Sequence, residues 1–259
     1  MLFRSLNRIE GYEHKVTFGL DYKSFQNQVL ISGTSLVPDI TLHPVSVAYS
    51  GELRREKSTL NFYAGLSYNL LAGGNDAAQS DFREARGKGS TVGQASAEYV
   101  IWRYGVNYQR FFLNDWTLRL AANAQTTRNA LVAGEQFGVG GASSVRGFNE
   151  RTYSNDKGHQ ATLEVYTPDI ARKIGLDGGQ LKLLAFYDTG SLSRNFLNAG
   201  EQTGLSVDSI GLGLRLSIRE RFNLRMDFAQ VKHDGGQDAG LRDGRRNSNT
   251  FHASAIFVY

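Results

Sequence analysis

A single arginine, Arg146, lies between Val145 and Gly147 in the stretch GGASSVRGFNERTYSNDKG, which runs from Gly140 to Gly158. A guanidinium group binds a carboxylate through short, charge-assisted and often paired hydrogen bonds, so an arginine at this position could anchor a loop. Loops of this length without secondary structure are uncommon unless they are functional or disordered. The stretch therefore predicts a loop that has a function.

The rest of the sequence offers little that could carry catalysis or hold a cofactor. Cysteine is absent, and the five histidines are scattered without the spacing of a metal site. No nucleophile, base and orienting residue stand out together, and we interpret Asp188 and Glu164 as charges of a polar interior. We therefore predict no catalytic residue, no metal, no cofactor and no enzymatic activity.

The net charge is +4, which favours anionic partners in general. The basic residues are spread along the chain, and local clusters such as RREK and LRDGRR fall in predicted turns or loops, where they are interpreted as solvated charge. The distribution does not predict a nucleic-acid partner.

Apolar residues recur at every second position in segment after segment of the chain. The stretch SIGLGLRLSI at 209–218, for example, places isoleucine and leucine on one face and serine, glycine and arginine on the other. This period is that of a β-strand with two unlike faces, and it predicts about eleven strands, or about twelve if residues before Gly11 form another. The predicted strands cover residues 14–22, 45–53, 58–70, 95–112, 116–125, 132–139, 160–167, 180–189, 209–218, 222–230 and 251–259.

One of these segments, 95–112, is too long for a regular strand and loses its phase near Ile101 and Trp102. A β-bulge would explain the shift, and so would an unusually tall hairpin arm. The sequence leaves both explanations open.

The connections between the predicted strands alternate in length. Those at 177–180 and 219–221 are short, whereas those at 73–93, 190–205 and 232–249 are long, rich in glycine and polar. Short turns at one end and long loops at the other are typical of outer-membrane barrels. No break in composition suggests a linker, so residues 1–259 are predicted to form one barrel domain.

The face opposite the apolar one is polar and charged over strands of about ten residues, the length that crosses a bilayer at the usual tilt. Backbone groups in lipid must all be bonded internally, so such strands close into a barrel, and a ring of this size is too wide for side chains to fill. We therefore predict an all-β, antiparallel transmembrane β-barrel with a polar lumen that holds the long loop. A soluble sandwich or a lipocalin-like barrel around a dry core is the alternative.

The chain ends in FHASAIFVY, which places Phe257 and Tyr259 on one face of the last predicted strand. This ending resembles the C-terminal recognition signal of bacterial outer-membrane barrels. The resemblance implies the barrel assembly machinery and outer-membrane lipids as partners. An ordinary strand that happens to be the last one is the other interpretation.

Four segments carry a more specific resemblance: QFGVGGASSVRGFNE (136–150), FYDTG (186–190), GLDYKSFQN (19–27) and HPVSVAYSG (43–51). The first resembles the strand, glycine pair and VRGF loop of the superfamily of two-partner secretion transporters and outer-membrane assembly factors, and the second resembles its FxDxG wall element. Within that superfamily the sequence is most similar to the haemolysin secretion/activation type.

This resemblance implies that the loop folds back into the lumen and that Arg146 binds Asp188, which lies in the wall element with Phe186 and Gly190. The two-residue period agrees, because Asp188 shares a face with Lys182 and not with the lipid-facing set.

The resemblance also gives roles to the neighbours of Arg146. Val145 and Phe148 would pack the tip of the loop against lumen side chains, and Gly147 would allow a tight turn beside the wall. Gly140 and Gly141 would act as the hinge at the root of the loop.

The function implied is the transfer of one large, unfolded partner exoprotein across the outer membrane of a Gram-negative bacterium without ATP, with the loop as gate. Members of the family also carry a plug helix, two POTRA domains and a sixteen-stranded barrel. The chain is therefore expected to correspond to the C-terminal part of such a barrel, without the POTRA domains and the first strands. An assembly factor that inserts other barrels, or a simple diffusion pore, remains an alternative.

Overall fold

The computed structural model describes residues 10–26, 30–31, 34–35, 38–71, 76–86, 94–197, 200–219, 221–236 and 244–258. The regular secondary structure of the described residues is almost entirely β-strand. The strands are, in chain order, β1 (Tyr12–Leu20), β2 (Lys23–Phe25), β3 (Leu30–Ile31), β4 (Thr34–Ser35), β5 (Ile40–Leu42), β6 (Pro44–Arg55), β7 (Ser58–Asn69), β8 (Val100–Phe111), β9 (Thr117–Thr126), β10 (Phe137–Val139), β11 (Tyr153–Asn155), β12 (Lys157–Tyr166), β13 (Gly179–Ser193), β14 (Gly204–Ile218), β15 (Phe222–Asp234) and β16 (Asn249–Phe257).

Helices contribute little. The α-helix α1 (Gln79–Ala85) follows β7, and three short 3-10 helices cover Leu113–Asp115, Ala133–Glu135 and Ala171–Ile174. Within the described ranges, no helix has the length and apolar character needed to cross a bilayer.

Ten of the strands form one antiparallel sheet in the order β1-β6-β7-β8-β9-β12-β13-β14-β15-β16, which we call the wall. Apart from the short strands, each wall strand pairs with its successor along the chain. The strand β12 lies beside β9 because the chain between them leaves the wall and returns. That excursion contains Arg146, and its own strands β10 and β11 pair with each other.

The alternation of the sequence sorts side chains to the two faces of the wall, as predicted. On β14, the side chain of Leu212 is 66% exposed, whereas Ser209 is fully buried. Leu183 and Tyr187 on β13 are exposed as well, while Asp188 is buried on the other side. We call the apolar exposed side the outer face and the side covered by the Arg146 loop the inner face. The predicted all-β antiparallel fold is therefore confirmed.

The prediction of a wall strand at 132–139 is wrong. Residues Ala133–Glu135 form a 3-10 helix, and only Phe137–Val139 is extended, in the short strand β10. Val132 is buried against other loop residues, so the alternation in this segment arises from loop packing and not from a pleated wall.

The prediction for 95–112 is wrong at its N-terminal end. The wall strand begins at Val100, and its register with β7 is continuous, so neither a bulge nor a tall arm is present. Residues 95–99 instead enter a buried apolar cluster built mainly from segments between the wall strands, which we call the loop core. The loop core consists of Ile40, Leu42, Phe82, Ala95, Ala97, Tyr99, Ile101, Leu131 and Val132. Every second residue of 95–99 is buried in this cluster, which produces the two-residue period of a strand without a wall strand. The apolar pattern therefore changes phase where this segment meets β8.

The wall is taller than predicted on one side. Both β13 and β14 contain 15 residues and extend into the segment 190–205 that the sequence pattern assigned to a loop. Likewise β11 and the start of β12 lie within the predicted loop Gly140–Gly158, which therefore carries secondary structure of its own.

Candidate functional site

The root of the Arg146 loop is closed by backbone hydrogen bonds between its two sides. The N–H of Gly141 donates to the carbonyl of Phe148 at 3.1 Å, and the N–H of Arg151 donates to the carbonyl of Gly140 at 3.3 Å. Both glycines have a positive φ, of 109° and 107°. A Cβ on Gly140 would lie 2.5 Å from the carbonyl oxygen of Asn149, so this root requires glycine.

The side chain of Arg146 is buried against the inner face and binds Asp188 through three donors. Its Nε lies 2.7 Å from Oδ2 and its Nη2 lies 2.8 Å from Oδ1, while its backbone N–H donates to Oδ2 at 3.1 Å. Arg146 is 2% exposed and Asp188 is 0% exposed. Burial opposes the charge of Arg146, but the hydrogen bond and the charge of Asp188 outweigh it and raise the pKa of the guanidinium.

Two further carboxylates complete the surroundings of this guanidinium. Nη1 of Arg146 donates to Oε1 of Glu164 at 2.8 Å and lies 3.5 Å from Oδ1 of Asp227. The three acids come from three different strands, β12, β13 and β15. Arg146 therefore connects strands of the wall that do not all pair with one another.

Glu164 and Asp227 each bind other side chains in addition to Arg146. Glu164 accepts from Nη1 of Arg119 at 2.8 Å and from the hydroxyl of Tyr166 at 2.7 Å. Asp227 accepts from Nη2 of Arg215 at 2.8 Å and from Nε of Arg225 at 2.8 Å. Asp188 differs from both, since all its hydrogen-bond donors among the described residues belong to Arg146.

The ring of Phe186 packs against the guanidinium of Arg146. Cζ of Arg146 lies 3.4 Å from the ring centroid, a cation–π contact in a buried place. Phe186 pairs in register with Gly211 of β14, where a Cβ would lie 2.3 Å from the ring. Glycine at position 211 of the neighbouring strand thus leaves the space that the ring of Phe186 occupies.

Apolar side chains hold the rest of the tip. Val145 and Phe148 are buried in a cluster with side chains of β10, β11, β13, β14 and β15. Gly190 makes this possible, because a Cβ there would lie 3.2 Å from Val145 and 3.1 Å from Val139. Phe148 also meets Tyr153 edge to face, with the ring centroids 6.0 Å apart.

Gly147 brings the backbone of the tip close to the last strands of the wall. Its φ is +107°, and a Cβ would lie 3.0 Å from Cγ2 of Val231 and 3.4 Å from Cβ of Ser209. Its carbonyl accepts a hydrogen bond from Oγ1 of Thr250 on β16 at 2.9 Å. The loop therefore reaches across the inner face from β12 to β16.

The structure brings together the loop-tip residues Val145, Arg146, Gly147 and Phe148 with the wall residues Phe186, Asp188 and Gly190. It also shows partners that the sequence analysis missed, among them Asp227, Arg225 and Thr250. The strand period places Asp227 on the inner face, which was the available signal, but the period alone does not say which inner residues meet a loop.

A second buried ion pair at the long-loop end of the wall was also missed. Asp156 accepts from Nη1 of Arg86 at 2.6 Å and from the backbone N–H groups of Leu131 and Asn195 at 2.9 and 3.0 Å. Asp156 thereby ties three separate loop segments together beside the loop core.

Phe257 lies on the outer face near the short-turn end, where it is 75% exposed. Its ring contacts that of Phe222 on β15, with the centroids 4.6 Å apart. Tyr259, the other predicted residue of the C-terminal signal, lies outside the described residues.

The model of the family described as haemolysin secretion/activation protein ShlB/FhaC/HecB matches residues 2–216. A comparison with curated proteins found no match.

Solved structures with a similar fold include two proteins named CdiB. The chain is similar to CdiB from Escherichia coli with a TM-score of 0.71 and 17% identity, covering 97% of this chain and 43% of that one. It is similar to CdiB from Acinetobacter baumannii with a TM-score of 0.65 and 15% identity, covering 98% of this chain and 40% of that one. The chain thus spans less than half the length of these relatives.

The family match extends from before β1 into β14 and contains the loop, Arg146 and Asp188. The outward apolar face of the wall fits a lipid surrounding. The chain belongs to the ShlB/FhaC/HecB family of haemolysin secretion/activation proteins, which are β-barrels of the outer membrane of Gram-negative bacteria.

Proposed function

We propose that this chain forms part of the wall of an outer-membrane pore that secretes one large partner exoprotein in an unfolded state, and that the Gly140–Gly158 loop is its gate. In this proposal the contact between Arg146 and Asp188 is the latch that keeps the gate seated. The partner's folding outside the cell would make its return unfavourable and so supply the work of transport.

The observation that carries this proposal is the burial of Arg146 on the inner face in contact with three carboxylates. A loop that lies across the inner face from β12 to β16 occupies space that a passing polypeptide would need. The loop contacts the wall through the charge of Arg146 and also through the apolar cluster around Phe148.

A latch of this kind has to be stable and still releasable. Breaking a buried ion pair by removing one partner costs about 3–5 kcal/mol, because the remaining charge stays buried without compensation. A gate needs a difference of a few kcal/mol between its two states to change their populations. Glu164 and Asp227 keep Arg119, Arg215 and Arg225 as partners when the loop leaves the wall, so Asp188 is the acid that bears this penalty.

Gly140 and Gly141 are proposed as the hinge of the gate. Their positive φ values and the tight root are compatible with glycine alone, and the backbone hydrogen bonds there lie outside the wall. The tip can then move as a unit while the root stays attached to β10 and β11.

The partners follow from the same proposal. The exposed apolar outer face would contact outer-membrane lipids. The last strand, with Phe257 on that face, would be recognised by the barrel assembly machinery during insertion. Residues 1–259 would then form one barrel domain within a longer transporter architecture.

The experiment compares secretion of the partner exoprotein into the medium by cells that carry Arg146→Ala, Asp188→Ala or Arg128→Ala. Arg128 is an exposed loop arginine with no hydrogen bond to the described residues and serves as the control. We expect both latch variants to secrete less while the barrel remains folded, shown by heat-dependent gel mobility. Secretion at the wild-type level by both variants would rule out the latch.

A further inference from the structure

Three cations stand side by side on the inner face, on the short-turn side of Asp188. Lys182 of β13 pairs in register with Arg215 of β14, and Arg215 pairs in register with Arg225 of β15. Like charges directly opposite each other across a ladder are destabilising. We call these three residues the cationic row.

The row is only partly neutralised. Arg215 and Arg225 share the single carboxylate of Asp227. Lys182 makes no hydrogen bond or ion pair with any described residue. Among the described residues, one carboxylate is thus in direct contact with the row of three cations, and it also lies near Arg146. The carboxylate of Asp169, in the turn before β13, acts on Lys182 only through its charge, without an ion pair.

A cavity lies directly against the row. Its volume is about 620 Å³, and it is lined by all three row residues and by Arg119 of β9. No acidic side chain is among its described lining residues. The lining also includes the ring of Tyr166 and the side chain of Ile256, so the cavity offers cationic and apolar surface together.

The cavity is wide enough for a stretch of polypeptide. From Arg119 on β9 to Arg225 on β15 the wall takes four strand-to-strand steps, which span about 19 Å at the usual spacing. An extended chain rises about 3.3 Å per residue, so about six residues would cover this distance. A single small anion would contact one or two of these cations and leave the others unmatched.

The row also lies where a polypeptide entering from the periplasm would meet it before the loop. Lys182 is three residues from the start of β13, and the turns at this end of the wall are short. In outer-membrane barrels the short turns face the periplasm. Asp188, which holds the loop, lies six positions further along the same strand.

We propose that the cationic row, with Arg119, is a binding site for an acidic segment of an unfolded polypeptide. The identification of that polypeptide as the exoprotein in transit rests on the proposed function. The carboxylates of the bound segment balance the excess positive charge of the row. Tyr166 and Ile256 contact its apolar side chains.

The test measures the binding of a fluorescent ten-residue peptide of alternating glutamate and serine to the protein in nanodiscs, by anisotropy. Peptides in which glutamine or lysine replaces glutamate are the comparison probes. We expect the glutamate peptide to bind, and its affinity to fall as salt is raised, because exposed charges are screened. Equal binding of the glutamine peptide would overturn the proposal.

The informative variant is Lys182→Gln, since Lys182 makes no hydrogen bond or ion pair with a described residue and its loss leaves the Arg146 site intact. Loss of one charge contact at a half-exposed place should weaken binding by about fivefold. The matched control is Lys173→Gln, an exposed lysine in the turn before β13 that does not line the cavity. Equal affinity of Lys182→Gln and wild type would overturn the assignment of the row.

Two further arms separate the possible outcomes. Displacement of the peptide by millimolar inorganic phosphate would assign the cavity to small anions and overturn the polypeptide ligand. Secretion that depends on Arg146 and Asp188, together with no binding of the glutamate peptide, would reject this inference and leave the proposed function standing. Peptide binding without any effect of the latch variants on secretion would reject the latch alone.

Discussion

The guanidinium of Arg146 binds both carboxylate oxygens of Asp188, at 2.7 and 2.8 Å, across 42 positions of the sequence. Asp188 takes its hydrogen bonds from Arg146, whereas Glu164 and Asp227 each have other cations. The two partners therefore depend on each other unequally. Arg146 keeps two acids if Asp188 is lost, whereas Asp188 keeps no donor from the described part of the chain if Arg146 is lost.

This inequality predicts the outcome of a double-mutant cycle. Arg146→Ala should lower the free energy of unfolding by about 3–5 kcal/mol, because the buried Asp188 is left unpaired. Asp188→Ala should cost less, and the double variant should cost less than the sum of the two single variants. Denaturant unfolding of the detergent-solubilised barrel measures all three. Additive effects would show that the two side chains are energetically independent.

Glycine at 147 should be required for the space beside the wall as well as for its φ. Gly147→Ala places a Cβ 3.0 Å from Val231 at a φ of +107°, whereas Gly175→Ala places one in open space at a φ of +75°. The φ of Gly175 lies near the left-handed region, where a non-glycine residue bears a strain of about 1–2 kcal/mol, whereas the φ of Gly147 lies further from any region that alanine favours. We expect Gly147→Ala to be the less stable of the two and to expose the loop to protease. Equal stabilities would mean that contact with Val231 is unimportant.

Asp156 should hold the long-loop end together without supporting the wall. Asp156→Ala removes the acceptor of Arg86 and of the N–H groups of Leu131 and Asn195. We expect trypsin to cut faster in the segment that contains Arg86, while heat-dependent gel mobility still reports a folded barrel. Glu56→Ala, at an exposed short turn, is the control. Unchanged proteolysis would indicate that the apolar loop core alone orders these segments.

Asp169 gives a pH prediction at the turn between β12 and β13. The backbone N–H groups of Ala171 and Leu181 donate to its carboxylate and lower its pKa below the ordinary 3.8. A depressed folded pKa stabilises the turn above the unfolded pKa, and this stabilisation is lost as the pH falls through the folded pKa. A carboxyl titration followed by NMR should give a midpoint below 3.8. Asp169→Asn should remove this titration, and a midpoint at or above 3.8 would contradict the assignment.

The wall could be predicted from the sequence because a pleated strand exposes alternate residues to two different surroundings. Leu212 and Ser209 reveal this alternation in the residue types themselves, and no knowledge of distant contacts is needed. The outer face carries the pattern most clearly, since contact with lipid selects apolar side chains at every second position.

The same period misleads where a loop buries alternate residues. Ala95, Ala97 and Tyr99 alternate because they pack into the loop core, and only their three-dimensional partners distinguish that from a strand. The contacts of Arg146 with the acidic residues of the inner face could not be predicted for a different reason. Their meeting depends on the register of several strands, which no local pattern of residues encodes.

The hydrogen bond from Thr250 to Gly147 joins residues 103 positions apart and reaches the last strand of the wall. The carbonyl of Gly147 can therefore accept this bond only after β16 has joined the wall. In the proposed gate, the closed state thus depends on β16, and a wall that still lacks this strand holds the loop with one contact fewer.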